Sequence, residues 1–271
     1  MYRSVRRAFR AASVLTLAFI AIAPQAEAAF IGISLGGDVY SIDGSGNGTL
    51  LGASGFTSTN AMSRDSLGTL VAVQTGLPTI FAAIDPVTGA GTPIGTVSPA
   101  FDFRGLAHGT GDQLYAVADG GGTGINDLLY AIDLGTSSAA LIGTDLGNAG
   151  VQALAFNGTA MYAWSTSLGL MTVDVTTGVA TDVNAAVGNG GADIQTLTFT
   201  DDGRLFGARN SLYEVDISTG AVMLIGGTGF ANLRGMEFVA DTVTSVPAPG
   251  ALALFGLGLA GLGLARRRRA A

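Results

Sequence analysis

Residues able to do chemistry are scarce in this 271-residue chain, and the scarcity is informative. Cysteine is absent, which removes disulfides, thiol nucleophiles and thiolate metal ligands together. His108 is the only histidine, so no multi-histidine metal centre can form within one chain. A Ser-His-Asp arrangement would have to use His108 with Asp102 or Asp112, yet no Gly-x-Ser-x-Gly elbow accompanies them. His108 is therefore expected simply to end a strand. A glycosidase needs two carboxyl groups facing each other about 5–10 Å apart. Glu214 and Glu237, with Asp65, Asp102 and Asp193, are the acids at hand, and they form no evident pair in sequence. Asp43 to Thr49 begins like a calcium loop, but Ser54 stands where the bidentate glutamate belongs, so it reads as a glycine-rich turn. No metal site and no cofactor is expected.

One regularity does point to a site. Two residues before Met62, Leu106, Leu154, Leu197 and Met236 stand Asn60, Arg104, Gln152, Gln195 and Arg234. All five are polar and rich in hydrogen-bond donors, and the residue between is always Ala, Gly or Thr. If the strands carrying them line a common axis, the five side chains surround one mouth of a channel. Such a ring could hold a sugar, a carboxylate or another polar small molecule. The plainer role is to tie the start of each strand to the next unit or to channel water.

The positioning elements are repeats. Asp43, Asp85, Asp133, Asp174 and Asp216 each close a short apolar stretch, at spacings of 42, 48, 41 and 42 residues. A turn such as Pro86-Val-Thr-Gly89 or Ile217-Ser-Thr-Gly220 follows, in which the aspartate bonds backbone amides and glycine supplies a positive φ. Next comes a strand ending in Leu51-Gly52, Ile94-Gly95, Ile142-Gly143 or Ile225-Gly226. Two more strands complete each unit, separated at Asn157-Gly158 and Asp202-Gly203 by hairpin signals. Four short strands per unit of about 42 residues is the size of a β-propeller blade. The predicted fold is all-β: one propeller over residues 29–243, with five four-stranded blades. Phe30 to Ile33 fits a second strand and Leu233 to Val239 a first strand, so the chain ends would share a composite closing blade. An open β-solenoid is the alternative, though its repeats are shorter.

The two ends of the chain differ from the middle. Residues 1–28 read as a signal peptide, expected to be helical: Arg3, Arg6, Arg7 and Arg10, an apolar core from Ala11 to Ala23, then Ala26-Glu27-Ala28 before the cut. Between Ala29 and Ser245 five arginines face nineteen acids, a formal charge of −14 that makes nucleic acid a poor partner. Residues 244–271 carry Val246-Pro247-Ala248-Pro249-Gly250, an uncharged run from Gly250 to Ala265, and Arg266, Arg267, Arg268 and Arg269. As a helix the run covers about 24 Å, short for a permanent span of about 30 Å but adequate when tilted. The arginines belong on the cytoplasmic side.

Pro-x-Pro, an apolar helix and a terminal arginine cluster together resemble the PEP-CTERM sorting signal. Pro247-Ala248-Pro249 replaces the usual Pro-Glu-Pro, and an ordinary C-terminal anchor is the alternative. The resemblance implies an exported protein, held through residues 250–265 in the inner membrane, processed by an exosortase, and then placed at the cell surface or in the extracellular matrix. It also implies an association with exopolysaccharide. The expected function is therefore non-enzymatic, with a lectin-like carbohydrate binder or a propeller glycosidase as alternatives.

Overall fold

The aspartate turns set the rhythm of the chain. In the computed structural model, which describes residues 29–98, 101–119, 127–147 and 150–240, each repeated aspartate folds its carboxylate back on the backbone. Asp85 Oδ1 accepts from the amides of Val87 (2.8 Å) and Thr88 (3.2 Å), and Asp216 Oδ1 from Ser218 and Thr219 at 2.8 and 3.2 Å. Gly89, Gly178 and Gly220 follow with φ of 75°, 73° and 70°, where a side chain would be strained. The chain reverses there and the next strand must pair antiparallel with the last.

Four antiparallel strands form each sheet. The first three strands are β1 (Ala29–Ser34), β2 (Asp38–Ile42) and β3 (Gly48–Ala53). The next blade holds β4 (Thr59–Arg64), β5 (Leu70–Gln74), β6 (Thr79–Ile84) and β7 (Gly91–Val97). After it come β8 (Phe103–His108), β9 (Leu114–Ala118), β10 (Leu128–Asp133) and β11 (Ser138–Ile142). A further blade holds β12 (Val151–Phe156), β13 (Met161–Ser165), β14 (Gly169–Val173) and β15 (Ala180–Asp182). Another holds β16 (Ile194–Phe199), β17 (Leu205–Arg209), β18 (Leu212–Val215) and β19 (Val222–Gly226). Finally β20 (Leu233–Val239) returns to pair with β1, giving the sheet order β20-β1-β2-β3.

The result is a five-bladed propeller closed by a composite blade. Ala29 opposes Val239 and Ile33 opposes Gly235, so the two terminal strands hide each other's edges. Phe30 packs 5.0 Å from Phe206 of the neighbouring blade and 5.8 Å from Phe238 of its own, which locks the closing blade against that neighbour. The expected helices at residues 1–28 and 250–265 lie outside the described residues. Among those described, no helix is long and apolar enough to cross a membrane.

The core is divided into five wedges, one between each pair of neighbouring blades. Phe81, Phe103 and Leu106 fill one; Trp164, Ile194 and Leu197 fill another; Ile33, Met62 and Leu70 a third. Each large buried side chain contributes about 1.5–3 kcal/mol of transfer free energy. The five inner strands β4, β8, β12, β16 and β20 touch in a closed ring around the axis. There the small residue of each strand accepts its neighbour. A Cβ on Gly105 would stand 2.9 Å from the carbonyl carbon of Ala153, and one on Gly235 would stand 2.4 Å from Met62 Cβ.

Candidate functional site

The five polar positions do converge, and the device that aims them is a β-bulge repeated in every blade. In β4 the register runs from Thr59 opposite Gln74 directly to Ala61 opposite Val73, leaving Asn60 as the extra residue. Arg104, Gln152 and Gln195 are skipped in the same way in β8, β12 and β16. In β20 the skipped residue is Arg234. A bulge places one residue outside the alternating pleat and turns it away from the sheet faces. Here it frees the polar side chain from the apolar wedges. The end of the axis where the inner strands begin, called here the leading mouth, therefore carries all five.

The leading mouth contains more charge than the ring alone. Asn60 Nδ2 donates to Asp102 Oδ1 at 3.3 Å, tying one blade to the next. Arg104 bonds Asp102 at 3.4 Å and also Asp119. Arg209 grips both oxygens of Asp193 at 3.0 and 2.9 Å. Asp127, 1% exposed, accepts from the Val151 amide at 2.5 Å, and burial pushes its carboxyl above the usual range. Arg234 differs from the other two arginines, because among the described residues it forms no ion pair. Burial, then the like charge of Arg209, holds its pKa below the ordinary arginine value. Its Nε and the Oε1 of Gln195 are buried without a hydrogen-bond partner. Sequence reasoning named the five ring positions and Asp193 but missed Asp119, Asp127, the pairing of Asp193 with Arg209, and the unpartnered Nε of Arg234.

The axis is not a pore. The space between Ala61, Gly105, Leu154, Leu197 and Arg234 admits no water-sized sphere, so the two mouths are separate sites.

At the trailing mouth, where the inner strands end, lies a polar recess of about 60 Å³. His108 ends β8 as expected. Its Nδ1 lies 2.9 Å from Ser63 Oγ, which also accepts the His108 amide at 2.8 Å. Ser63 is 2% exposed, so the pair is a strand-to-strand tie rather than a presented nucleophile. Burial lowers the His108 pKa, while Asp65 and Asp112 oppose that shift. Thr198 Oγ1 donates to Glu237 Oε2 at 2.9 Å, and Arg64 Nη1 donates to the Phe238 carbonyl at 2.7 Å. Protein crowds Glu237 from every side while its carboxyl keeps partial access through the recess. Desolvation pushes its pKa up to about 8.

Glu214, Asp65 and Asp43 are engaged elsewhere. Glu214 pairs with Arg204 at 2.8 and 2.6 Å on a blade face, and Asp65 caps the turn to Thr69. Asp43 is engaged by the amides of Ser45 and Asn47, which makes its loop a capped turn. Glu237 is the only acid lining its recess, and no cluster of three or more His, Cys, Asp or Glu suited to a metal occurs among the described residues. Two blade boundaries carry equivalent clefts, one of about 320 Å³ floored by Tyr115, Phe156 and Met161 and one of about 270 Å³ floored by Phe206, Phe238 and Phe30.

The C-terminal address follows from its own residues. Residues 245–269 match the PEP-CTERM protein-sorting motif. The PEP-CTERM segment starts just after β20 ends at Val239, so the blades lie wholly outside it. The motif implies export, membrane-anchored transit and processing by an exosortase, itself a membrane enzyme. No curated protein matches the chain. Among solved structures, it is similar to a symmetrical protein from work on de novo evolutionary emergence under folding constraints. That likeness has a TM-score of 0.50 at 19% identity and covers 77% of this chain and 97% of the other. It concerns the fold. A gluconolactonase from Xanthomonas campestris aligns at 13% identity with a TM-score of 0.46, over 76% of this chain and 78% of that one. TolB from Acinetobacter baumannii aligns at 13% identity with a TM-score of 0.45, over 76% and 54%.

Proposed function

We propose that the chain is a non-enzymatic exported protein of the cell surface or extracellular matrix, which binds exopolysaccharide or another polar ligand at its leading mouth. The observation that carries this reading is the repeated bulge, which brings Asn60, Arg104, Gln152, Gln195 and Arg234 to one end of the axis. Arg234 strengthens it, since an unpaired, half-buried guanidinium is costly to keep unless something else completes its hydrogen bonds. A blind axis suits retention of a ligand rather than its passage. Asp102, Asp119, Asp193 and Asp127 at the leading mouth are engaged by Arg104, Arg209 and the Val151 amide, which supports a binding role for them. A lectin-like reading, with sugar rings laid on the aromatic floors of the two equivalent clefts, is the second possibility.

Cell fractionation and intact mass test the address. The native chain is expected as a shortened, released species, and replacing Arg266, Arg267, Arg268 and Arg269 by neutral residues should leave it full-length in the membrane. Sedimentation with matrix polysaccharide tests the site. Arg234→Gln combined with Gln195→Ala should release the protein at least about tenfold more readily. Retention unchanged in that variant, but lost in Phe156→Ala, would move the site to the blade boundaries.

A further inference from the structure

The blades repeat, so departures from the repeat show where something other than folding is served. At the next-to-last axial position the inner strands carry Ser63, Ala107, Ala155, Thr198 and Glu237. At the following position they carry Arg64, His108, Phe156, Phe199 and Phe238. Small residues and phenylalanine are evidently sufficient to build this end of a blade. Glu237, Arg64 and His108 break the pattern, and they stand on β20, β4 and β8, which are consecutive around the ring. All three line the same recess. Placing a carboxyl here also brings a desolvation cost that alanine or threonine avoids.

We propose that the trailing mouth is a second binding site, which takes the carboxylate of a small organic acid between Glu237, Arg64 and His108. The recess of about 60 Å³ has room for a few waters or for one acetate-sized head. Glu237 accepts from Thr198 through Oε2, and its side chain lines the recess. Arg64 uses Nη1 on the Phe238 carbonyl, and its guanidinium acts on Glu237 through its charge. His108 Nδ1 is taken by Ser63 Oγ at 2.9 Å, and in the tautomer protonated at Nε2 the imidazole is a further donor. With its pKa near 8, Glu237 holds a proton at neutral pH and can donate it in a hydrogen bond to the incoming carboxylate. The charges acting there are then Arg64 from β4 and, behind His108, Asp65 and Asp112. Of these three, only Arg64 lines the recess, so the charge nearest an incoming carboxylate is positive. This site is independent of the leading mouth.

Isothermal titration of the full chain in detergent with sodium acetate, at pH 6 and pH 9, tests the proposal. Wild type should bind one acetate, about tenfold more weakly at pH 9, where roughly a tenth of Glu237 stays protonated. Glu237→Gln, which keeps a donor but cannot ionise, should bind at both pH values equally. Arg64→Gln should lose at least about tenfold at both, whereas Arg64→Lys, which keeps the charge and a donor for the Phe238 carbonyl, should bind as wild type does. Loss of binding in Arg234→Gln would assign the acetate to the other mouth and overturn the proposal. So would binding by wild type that ignores pH, absence of binding, or inorganic phosphate bound as tightly as acetate.

Discussion

The two mouths of the axis are built by opposite strategies. The leading mouth is polar in every blade, because the same bulge recurs five times and each time ejects a side chain from the pleat. At the trailing mouth the repeat is broken on β20, β4 and β8, which add Glu237, Arg64 and His108 to a recess lined by all five inner strands. Symmetry thus makes a wide, shared rim at one end, and its local failure gives the small recess at the other its ionisable groups. Between them, the glycines and alanines of the inner strands let the ring close so tightly that neither site communicates with the other through the axis.

The belt is where the comparison breaks most easily. Gly235→Ala would put a Cβ 2.4 Å from Met62 Cβ and 2.6 Å from the Met62 amide nitrogen, so β4 must move. An overpacking cost of about 1–3 kcal/mol is expected, read as a lower urea midpoint, with both mouths losing ligand together. Glu237→Gln affects one mouth only. The native state keeps the Glu237 proton up to about pH 8, whereas the unfolded chain releases it near the ordinary glutamate value of 4.5. The folded state therefore binds more protons in that window, and stability falls as pH rises from about 4.5 to 8, then levels. The glutamine variant lacks this limb, so its melting temperature above pH 8 should exceed the wild-type value by a few degrees, on the scale of about 2–4 °C per kcal/mol.

Arg234→Met sharpens the opposite contrast. Because Arg234 has no ion pair among the described residues and sits in the field of Arg209 and Arg104, its removal should leave stability within about 1 kcal/mol of wild type or raise it. A loss beyond that in denaturant titration would mean that Arg234 holds the blades rather than a ligand. The smallest effect is expected outside both mouths. Asp174 is lowered to about 2, and Asp43, Asp85, Asp133 and Asp216 are lowered too, chiefly by side-chain and amide hydrogen bonds in their turns. Groups held below their unfolded values stabilise above about pH 4 and lose that contribution as pH falls toward 2. The melting temperature should drop slightly over that range in wild type, and less in Asp174→Asn. This acid limb and the Glu237 limb have opposite slopes, which lets one pH scan separate them.

Much of the fold was legible because its signals are local. An aspartate turn, a two-residue hairpin signal and a period near 42 residues are written in contiguous stretches, and they specified strand order, blade size and the shared closing blade. The polar ring was legible for the same reason: five equivalent residues occupy one offset from an apolar landmark. The reading of His108 as a strand-end residue also holds, because the residues around it follow the repeat. The bulges were not legible, since a skipped partner exists only once two strands are in register. The trailing recess was hidden because Arg64, His108 and Glu237 are far apart in sequence and become neighbours only when β20 closes against β4 and β4 against β8.

By itself, then, the amino-acid order determined the repeat, the five-bladed closure, the position of the polar ring and the sorting address at residues 245–269. Each depends on short-range patterns: turn chemistry, strand alternation, or a contiguous motif. The tertiary structure alone decided which arginine at the leading mouth lacks a carboxylate, that the axis is shut, and that three departures from the repeat meet around one recess. Those outcomes depend on distances across the ring of inner strands, and such distances are set by the packing of neighbouring blades rather than by any one of them.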